Sequence, residues 1–369
     1  MTALIEKYKE TELTERKSLS NTYISAFYPH LFEKQGYPTH IQHEDEVWKY
    51  LDSMHDLRFE SNLQLVGNDP EDTEFVKAVL AKYKESVAPH LYKVVYPRAS
   101  FLRALHQAKI LKFLAPETDS LRVAELGPGS GYLSLILALK KHKVLAIENT
   151  QGFYISQNIL WSKFDLSVDD FVSQKQNPSA NIRHCPWWEV TKLFQQPPAM
   201  DIFYCNHAIT EMSATASTYY IHLAKKSLSN SNLGYFILDG IYDTYLSSTS
   251  EVIERMYKSG FVLVYKKKDL WVFQLRDKVN NKKYFQPRTQ NRWTKLLWKL
   301  SDFTKSFRQQ KRKSYLDHRY FVKEFCTPEL QSLDRYITHT KTNEQIKDLY
   351  FEFTNTEAHD DALLSGVHH

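Results

Sequence analysis

Between Leu121 and Leu275, short apolar runs alternate with stretches of helical spacing, and this alternation limits the possible folds more than any other feature of the 369 residues. LRVAEL (121–126), KVLAIE (143–148), NIRHC (181–185), MDIFYCN (200–206) and LGYFILDG (233–240) each have the length of a buried strand. Between and after them lie the helix-like segments YLSLILALKK, GFYISQNILWSKF, STYYIHLAKKSL and TSEVIERMYKSG, the last stopped by Gly260. Such alternation predicts a parallel sheet with helices on both faces. FVLVYKKKDLWVFQL (261–275) then holds two strands around a charged turn. They are too close for a crossover helix, which predicts an antiparallel hairpin at the sheet edge.

The flanks differ in character. Residues 1–99 read as a helical cap region: 10–27 and 71–87 have roughly helical apolar spacing, and 37–40 and 67–72 carry loop signals. The amphipathic helix 100–115, stopped by Pro116, opens the central domain, 100–275. Beyond it, 276–369 is a basic, mostly helical extension in which Trp293, Leu296, Leu297, Leu300 and Phe307 keep helical spacing, and 356–369 reads as a loose tail.

A net charge of +5 permits an anionic partner without demanding nucleic acid, and DNA is not expected. Three scattered cysteines, with no CxxC pair, fit a reducing compartment. The N-terminal MTALIEKYKE lacks the apolar core of a signal peptide, and no apolar run approaches the ~20 residues of a membrane span. The expectation is a cytoplasmic protein.

The chain has only 10 glycines and places three of them, Gly127, Gly129 and Gly131, within five positions after the first strand. Glycine serves where backbone turns sharply or approaches a ligand closely. In a doubly wound sheet this loop faces the binding crevice and presents backbone N–H groups at a helix N-terminus. The spacing is G-x-G-x-G, unlike the G-x-G-x-x-G of nicotinamide binders. Glu148 ends the second strand, 21 residues after Gly127, where a carboxylate can accept two hydroxyl bonds and complement a cation.

The E-L-G-P-G-S-G run (125–131), Glu148 and the βα series resemble the class I S-adenosylmethionine-dependent methyltransferases across residues 100–275. The resemblance implies a Rossmann-like sheet of five parallel βα units plus a C-terminal antiparallel hairpin, with S-adenosylmethionine as cofactor. It implies that Gly127, Pro128, Gly129, Gly131 and Tyr132 admit the methionine and ribose parts, and that Glu125 helps hold the methionyl amino group. Glu148 would take the ribose hydroxyls. Asn149, Phe153, Cys185, Pro186 and Trp187 are candidates to flank the adenine, although the usual acid after the third strand is missing.

CNHAITEM (205–212) stands after the fourth strand in place of the N/D-P-P-Y/F signature of exocyclic-amine methyltransferases. Transfer to a hydroxyl is helped by a base, and neutral histidine suits the task. The candidates are His207 as base, Glu211 one helical turn on as its orienting acid, Asn206 as hydrogen-bonding partner, and Asp239 as a competing base beside Tyr242 and Asp243. No metal is expected, because His207 and Glu211 are too few ligands. The N-H-A-I-T-E-M and P-W-W runs resemble the putative sugar O-methyltransferases over residues 90–275, which implies a sugar, nucleotide-sugar or glycan acceptor. Arg98, Arg103 and His106 read as solvated, with contact to a pyrophosphate or acidic sugar as the alternative. Two other readings stand: an RNA methyltransferase using the basic 276–320 stretch, and an inactive scaffold docking to a partner or an anionic membrane through 292–313, at the inner membrane face. The oligomeric state is open.

Overall fold

The computed structural model describes residues 1–34, 40–53, 70–87, 89, 98–173, 177, 179–279, 283–288 and 305–339. Among them, nine strands form one sheet: β1 (Arg122–Leu126), β2 (Lys143–Glu148), β3 (Val168–Asp170), β4 (Ile182–Pro186), β5 (Ile202–Asn206), β6 (Tyr235–Asp239), β7 (Phe261–Lys267), β8 (Leu270–Leu275) and β9 (Phe325–Cys326). Their order is β3-β4-β2-β1-β5-β6-β8-β7-β9. The strands from β1 to β6 pair in parallel, whereas β8 runs antiparallel to both β6 and β7. The order reverses beside β1, with β2 on one side and β5 on the other. That reversal opens a crevice at the carboxyl ends of β1 and β5, where ligands of such sheets bind.

Helices α1 (Thr2–Arg16), α2 (Asn21–Phe27), α3 (His30–Lys34), α4 (Glu44–Ser53), α5 (Pro70–Ser86) and α6 (Arg98–Leu114) precede the sheet. Within it lie α7 (Tyr132–Leu139), α8 (Gln151–Lys163), α9 (Val190–Gln195), α10 (Ala214–Leu228) and α11 (Thr249–Lys258), and after it come α12 (Lys305–Tyr320) and α13 (Gln331–His339). Successive strand residues point to opposite faces, so each strand feeds two cores. Val123, Ile202, Tyr204 and Ile237 join the core that holds Phe101, Leu105 and Leu135. Ala124, Phe203, Cys205 and Leu238 join the one that holds Tyr220, Ile221 and Trp188. At about 1.5–3 kcal/mol for each fully buried large side chain, this two-sided burial keeps the strand ends, and so the site, in place.

Several elements differ from the sequence reading. The hairpin β7–β8 is not the edge: β8 inserts beside β6, and β9, from the C-terminal extension, pairs outside β7. Strands β3 and β9 are too short, at 3 and 2 residues, to leave an apolar pattern. The spacing over 10–27 divides into two helices, because the Ser20 hydroxyl accepts from Tyr23 N and caps a new start. Pro70 opens α5, which makes 70–72 helical. In α12, Leu316 and Tyr320 are buried in the protein's own core. Trp293, Leu296, Leu297, Leu300 and the Phe307 side chain lie outside the described residues. Among the described residues, no helix is long and apolar enough to cross a membrane.

Candidate active site

The loop between β1 and α7 carries its three glycines at positive φ, 64° at Gly127, 57° at Gly129 and 77° at Gly131. For Gly127 the absence of a side chain is a steric necessity as well: a Cβ there would lie 2.6 Å from the Cβ of Ala208. The loop is held from beneath by α8. Trp161 donates its indole N–H to the Gly131 carbonyl at 3.0 Å, and Gln157 donates its amide to the Gly129 carbonyl at 2.7 Å. The same Gln157 amide donates to Glu148 Oε2 at 3.0 Å. One side chain thus ties the glycine loop to the acid that ends β2.

Two buried carboxyls flank this loop. Glu125 takes a bond from the Ser134 hydroxyl, and burial, reinforced by the charge of Glu148, pushes it up to about 8. Burial likewise raises Glu148 above the usual carboxylate range, opposed by its hydrogen bonds. Its Oε1 accepts from Asn149 N, Thr150 N and Thr150 Oγ1, and its Oε2 accepts from Gln157. A carboxylate has about four acceptor sites, so Oε2 retains room for one further hydroxyl. A second ribose hydroxyl would have to displace Gln157 or turn to Asn149, which also lines the cavity.

The chain leaves β5 through an uncommon backbone. His207 has φ 59° and ψ −38°, fixed by its N–H donating to the Asp239 carbonyl at 2.9 Å. A non-glycine residue in such a conformation is strained by about 1–3 kcal/mol and persists only where its surroundings hold it. The bend aims the imidazole at Gly240 and into the cavity. Arg103 of α6 donates from Nη2 to Asn206 Oδ1 at 2.9 Å and to His207 Nε2 at 2.8 Å. Guanidinium can only donate, so Nε2 accepts and the ring proton sits on Nδ1. Burial, with the Arg103 charge, holds His207 below the ordinary histidine range and keeps it neutral.

The other candidates take different places. Glu211 follows a single 3-10 turn, not an α-helical one, and accepts from the Tyr242 hydroxyl; Arg103 and Gly240, not Glu211, orient the imidazole. Asp239 is not among the cavity residues. Its Oδ2 accepts from Gln107 at 2.7 Å and Tyr204 at 2.9 Å. Burial opposes its ionisation, but Arg103 and those two bonds hold it below the usual range, so it supports Arg103 and does not stand as a competing base. The carboxyl of Asp243 faces Lys313 and the Thr249 N–H.

Glu125, Gly127, Pro128, Gly129, Tyr132, Glu148, Asn149, Phe153, Asn206, His207 and Glu211 line one cavity of about 570 Å³. That lies within the range of small-molecule sites, about 300–1,000 Å³. Gly131 stands behind the lining as the N-cap of α7. Cys185, Pro186 and Trp187 do not line it, a correction to their placing beside an adenine. Cys185 is fully buried, and Trp187 stacks at 6.0 Å on Tyr23, whose hydroxyl donates to the Trp187 carbonyl. The N-terminal helices occupy that side, and Phe27, Tyr28, Pro29 and Phe32 of α2–α3 line the cavity in their stead. The only sequence signal for them is the aromatic run FYPHLF (27–32). Arg103, read as solvated with contact to a pyrophosphate or acidic sugar as the alternative, lines the cavity, as does Gln107, which carried no signal. His106, read as solvated, is half-buried and bonded to the Tyr336 hydroxyl at 2.9 Å, and desolvation lowers it to about 4. The side chain of Arg98 lies outside the described residues. Among the described residues, no three His, Cys, Asp or Glu side chains are grouped to hold a metal.

No protein-family model matches the sequence, and no curated protein matches it significantly. Solved structures do. Magnesium protoporphyrin IX methyltransferase of Synechocystis, with bound S-adenosylhomocysteine, is 14% identical with a TM-score of 0.34, covering 54% of this chain and 95% of that one. The N-methyltransferase NodS of Bradyrhizobium japonicum, in complex with the same ligand, is 12% identical with a TM-score of 0.35, over 53% and 98%. A TehB-like S-adenosylmethionine-dependent methyltransferase of Corynebacterium glutamicum is 10% identical with a TM-score of 0.36, over 56% and 100%. At these scores the likeness assigns neither chemistry nor acceptor, and the functional reading rests on the site.

Proposed function

We propose that the protein is an S-adenosylmethionine-dependent methyltransferase whose acceptor is a hydroxyl of a sugar, nucleotide-sugar or glycan. The observation that carries this reading is the placement of Glu125 and Glu148 on either side of the glycine loop. A ligand there meets close-approach backbone and two carboxyls, which suits a molecule bearing an ammonium and a sulfonium charge beside a ribose. Were the donor bound, Glu148 Oε2 would take one ribose hydroxyl, Glu125 would face the ammonium, and Asn149, Phe153, Phe27 and Phe32 would enclose the base. When bound, the donor supplies a methyl group on sulfur whose C–S electrons leave with the sulfur as the new C–O bond forms.

The chain's own residues act on the acceptor. Neutral His207, beside Asn206 at the end of β5, is the group to take the hydroxyl proton. Tyr28 and Tyr242 on the lining offer aromatic faces for a sugar ring. Lys34 lies 4.3 Å over the Tyr245 ring and joins α3 to the loop after β6. Incubation with methyl-labelled donor and a panel of nucleotide-sugars, extracted glycans and RNA tests the reading. Label in an alkali-stable methyl ether of a sugar is expected. Transfer to RNA, or to none of the panel, would contradict it.

A further inference from the structure

The structure poses a problem for His207 as a base. A neutral imidazole has one acceptor nitrogen, and here that nitrogen, Nε2, already takes a bond from Arg103 at 2.8 Å. No proton can move to it while the guanidinium is in place. Arg103 itself lines the cavity, and among the described lining residues it is the only Arg or Lys, against Glu125, Glu148, Glu211 and Asp269. Two of its bonds go to neutral acceptors, the Asn206 amide oxygen and the imidazole, beside the charge of Asp239. A guanidinium fork binds carboxylate or phosphate oxygens with charge-assisted pairs, which are stronger than bonds to neutral groups.

We propose that Arg103 reads an oxyanion on the acceptor, and that docking of this anion draws the guanidinium off His207 Nε2 so that the base is freed only once the acceptor is seated. The inference rests on the methyltransferase reading and adds an acceptor class: a hydroxyl compound carrying a carboxylate or a phosphate. The step balances. The acceptor O–H bond breaks, its electron pair stays with oxygen for the bond to methyl, and its proton goes to Nε2. The imidazolium then gives that proton to solvent. The Gly240 carbonyl, the charge of Asp239 and that of Asp269 face the ring and favour its charged form during the step. In the resting cavity the Arg103 charge opposes that form. An anionic acceptor therefore removes two obstacles at once, the occupied lone pair and the adjacent positive charge. Without Arg103, four acidic side chains would line the cavity that such an acceptor enters.

The test uses the full chain with inorganic pyrophosphate and with glucuronate as separate probes, which distinguishes a phosphate from a carboxylate source. The imidazole of His207 is followed by NMR titration, and S-adenosylhomocysteine binding is measured on the same samples. One anion is expected to raise the His207 pKa in the wild type and to bind at least about tenfold more weakly to Arg103→Gln, the scale of losing a charge-assisted bond. Arg103→Lys should recover part of that binding, and Arg103→Gln should start with a higher His207 pKa. Unchanged S-adenosylhomocysteine binding by both variants shows that the fold persists. If neither anion moves His207, or Arg103→Gln binds them as the wild type does, while S-adenosylhomocysteine still binds, the Arg103 inference falls and the methyltransferase reading stands. If S-adenosylhomocysteine binds to none of the proteins, both fall together.

Discussion

The His207 ring lies directly on Gly240: a Cβ at position 240 would sit 2.2 Å from Cε1 of the imidazole. With the 2.6 Å approach of Ala208 to Gly127, this makes the turn after β5 depend on two missing side chains, one at the end of β1 and one at the end of β6. Gly240→Ala should displace the imidazole and strain a backbone at φ 69°, costing about 1–3 kcal/mol. Urea unfolding and methyl transfer check this: stability and turnover should fall, while donor affinity, set at the ends of β1 and β2, should hold.

Binding and turnover should separate by residue. His207→Ala removes the proton acceptor and should lower turnover by about 10²–10⁴-fold, the usual worth of a general base. Its S-adenosylhomocysteine affinity should match that of the wild type in calorimetry. Normal turnover by His207→Ala would end its role as base.

Glu125 makes donor binding depend on pH. Its folded pKa of about 8 lies above the ordinary 4.5, so the ligand-free protein loses stability as pH rises through that window. An ammonium beside the carboxyl favours its ionised form, so binding below about pH 8 should release a proton and tighten as pH rises toward 8. Calorimetry in buffers of different ionisation enthalpy measures the proton. Glu125→Gln should release none through this group and show a flatter pH profile.

The grip of α8 on the loop is also testable. Trp161→Phe keeps the ring but removes the indole N–H that holds the Gly131 carbonyl, leaving that buried carbonyl without its side-chain donor. Because Leu135 N–H still bonds that carbonyl, a loss of about 0.5–1.5 kcal/mol in thermal or urea unfolding is expected, together with weaker S-adenosylhomocysteine binding. Intact affinity would show that α7 alone shapes the loop.

The mostly parallel α/β sheet was legible because its strands are local apolar runs and its glycine loop and Glu148 lie close together along the chain. Residues whose place depends on distant partners were not. Trp187 looked like a pocket residue by its position after β4, yet Tyr23 and Glu12, more than 160 residues earlier, claim its ring and backbone. Arg103 has an ordinary amphipathic setting in α6, and nothing local says that its fork reaches Asn206 and His207 across 103 and 104 residues. The positive φ of His207 left no trace either, since glycine is the usual marker of such a bend and none stands there. The strand β9 shows the same limit: two residues pair only because β7 offers an edge.

The central claim is that Glu125, Glu148 and the glycine loop hold S-adenosylmethionine. Isothermal titration of S-adenosylhomocysteine into the wild type and Glu148→Ala tests it most directly. The account predicts one site per chain in the wild type and a loss of about 10–100-fold in affinity on removing Glu148, the worth of a charge-assisted bond to ribose. No binding heat at several temperatures in the wild type, or equal affinity in the two proteins, would contradict it.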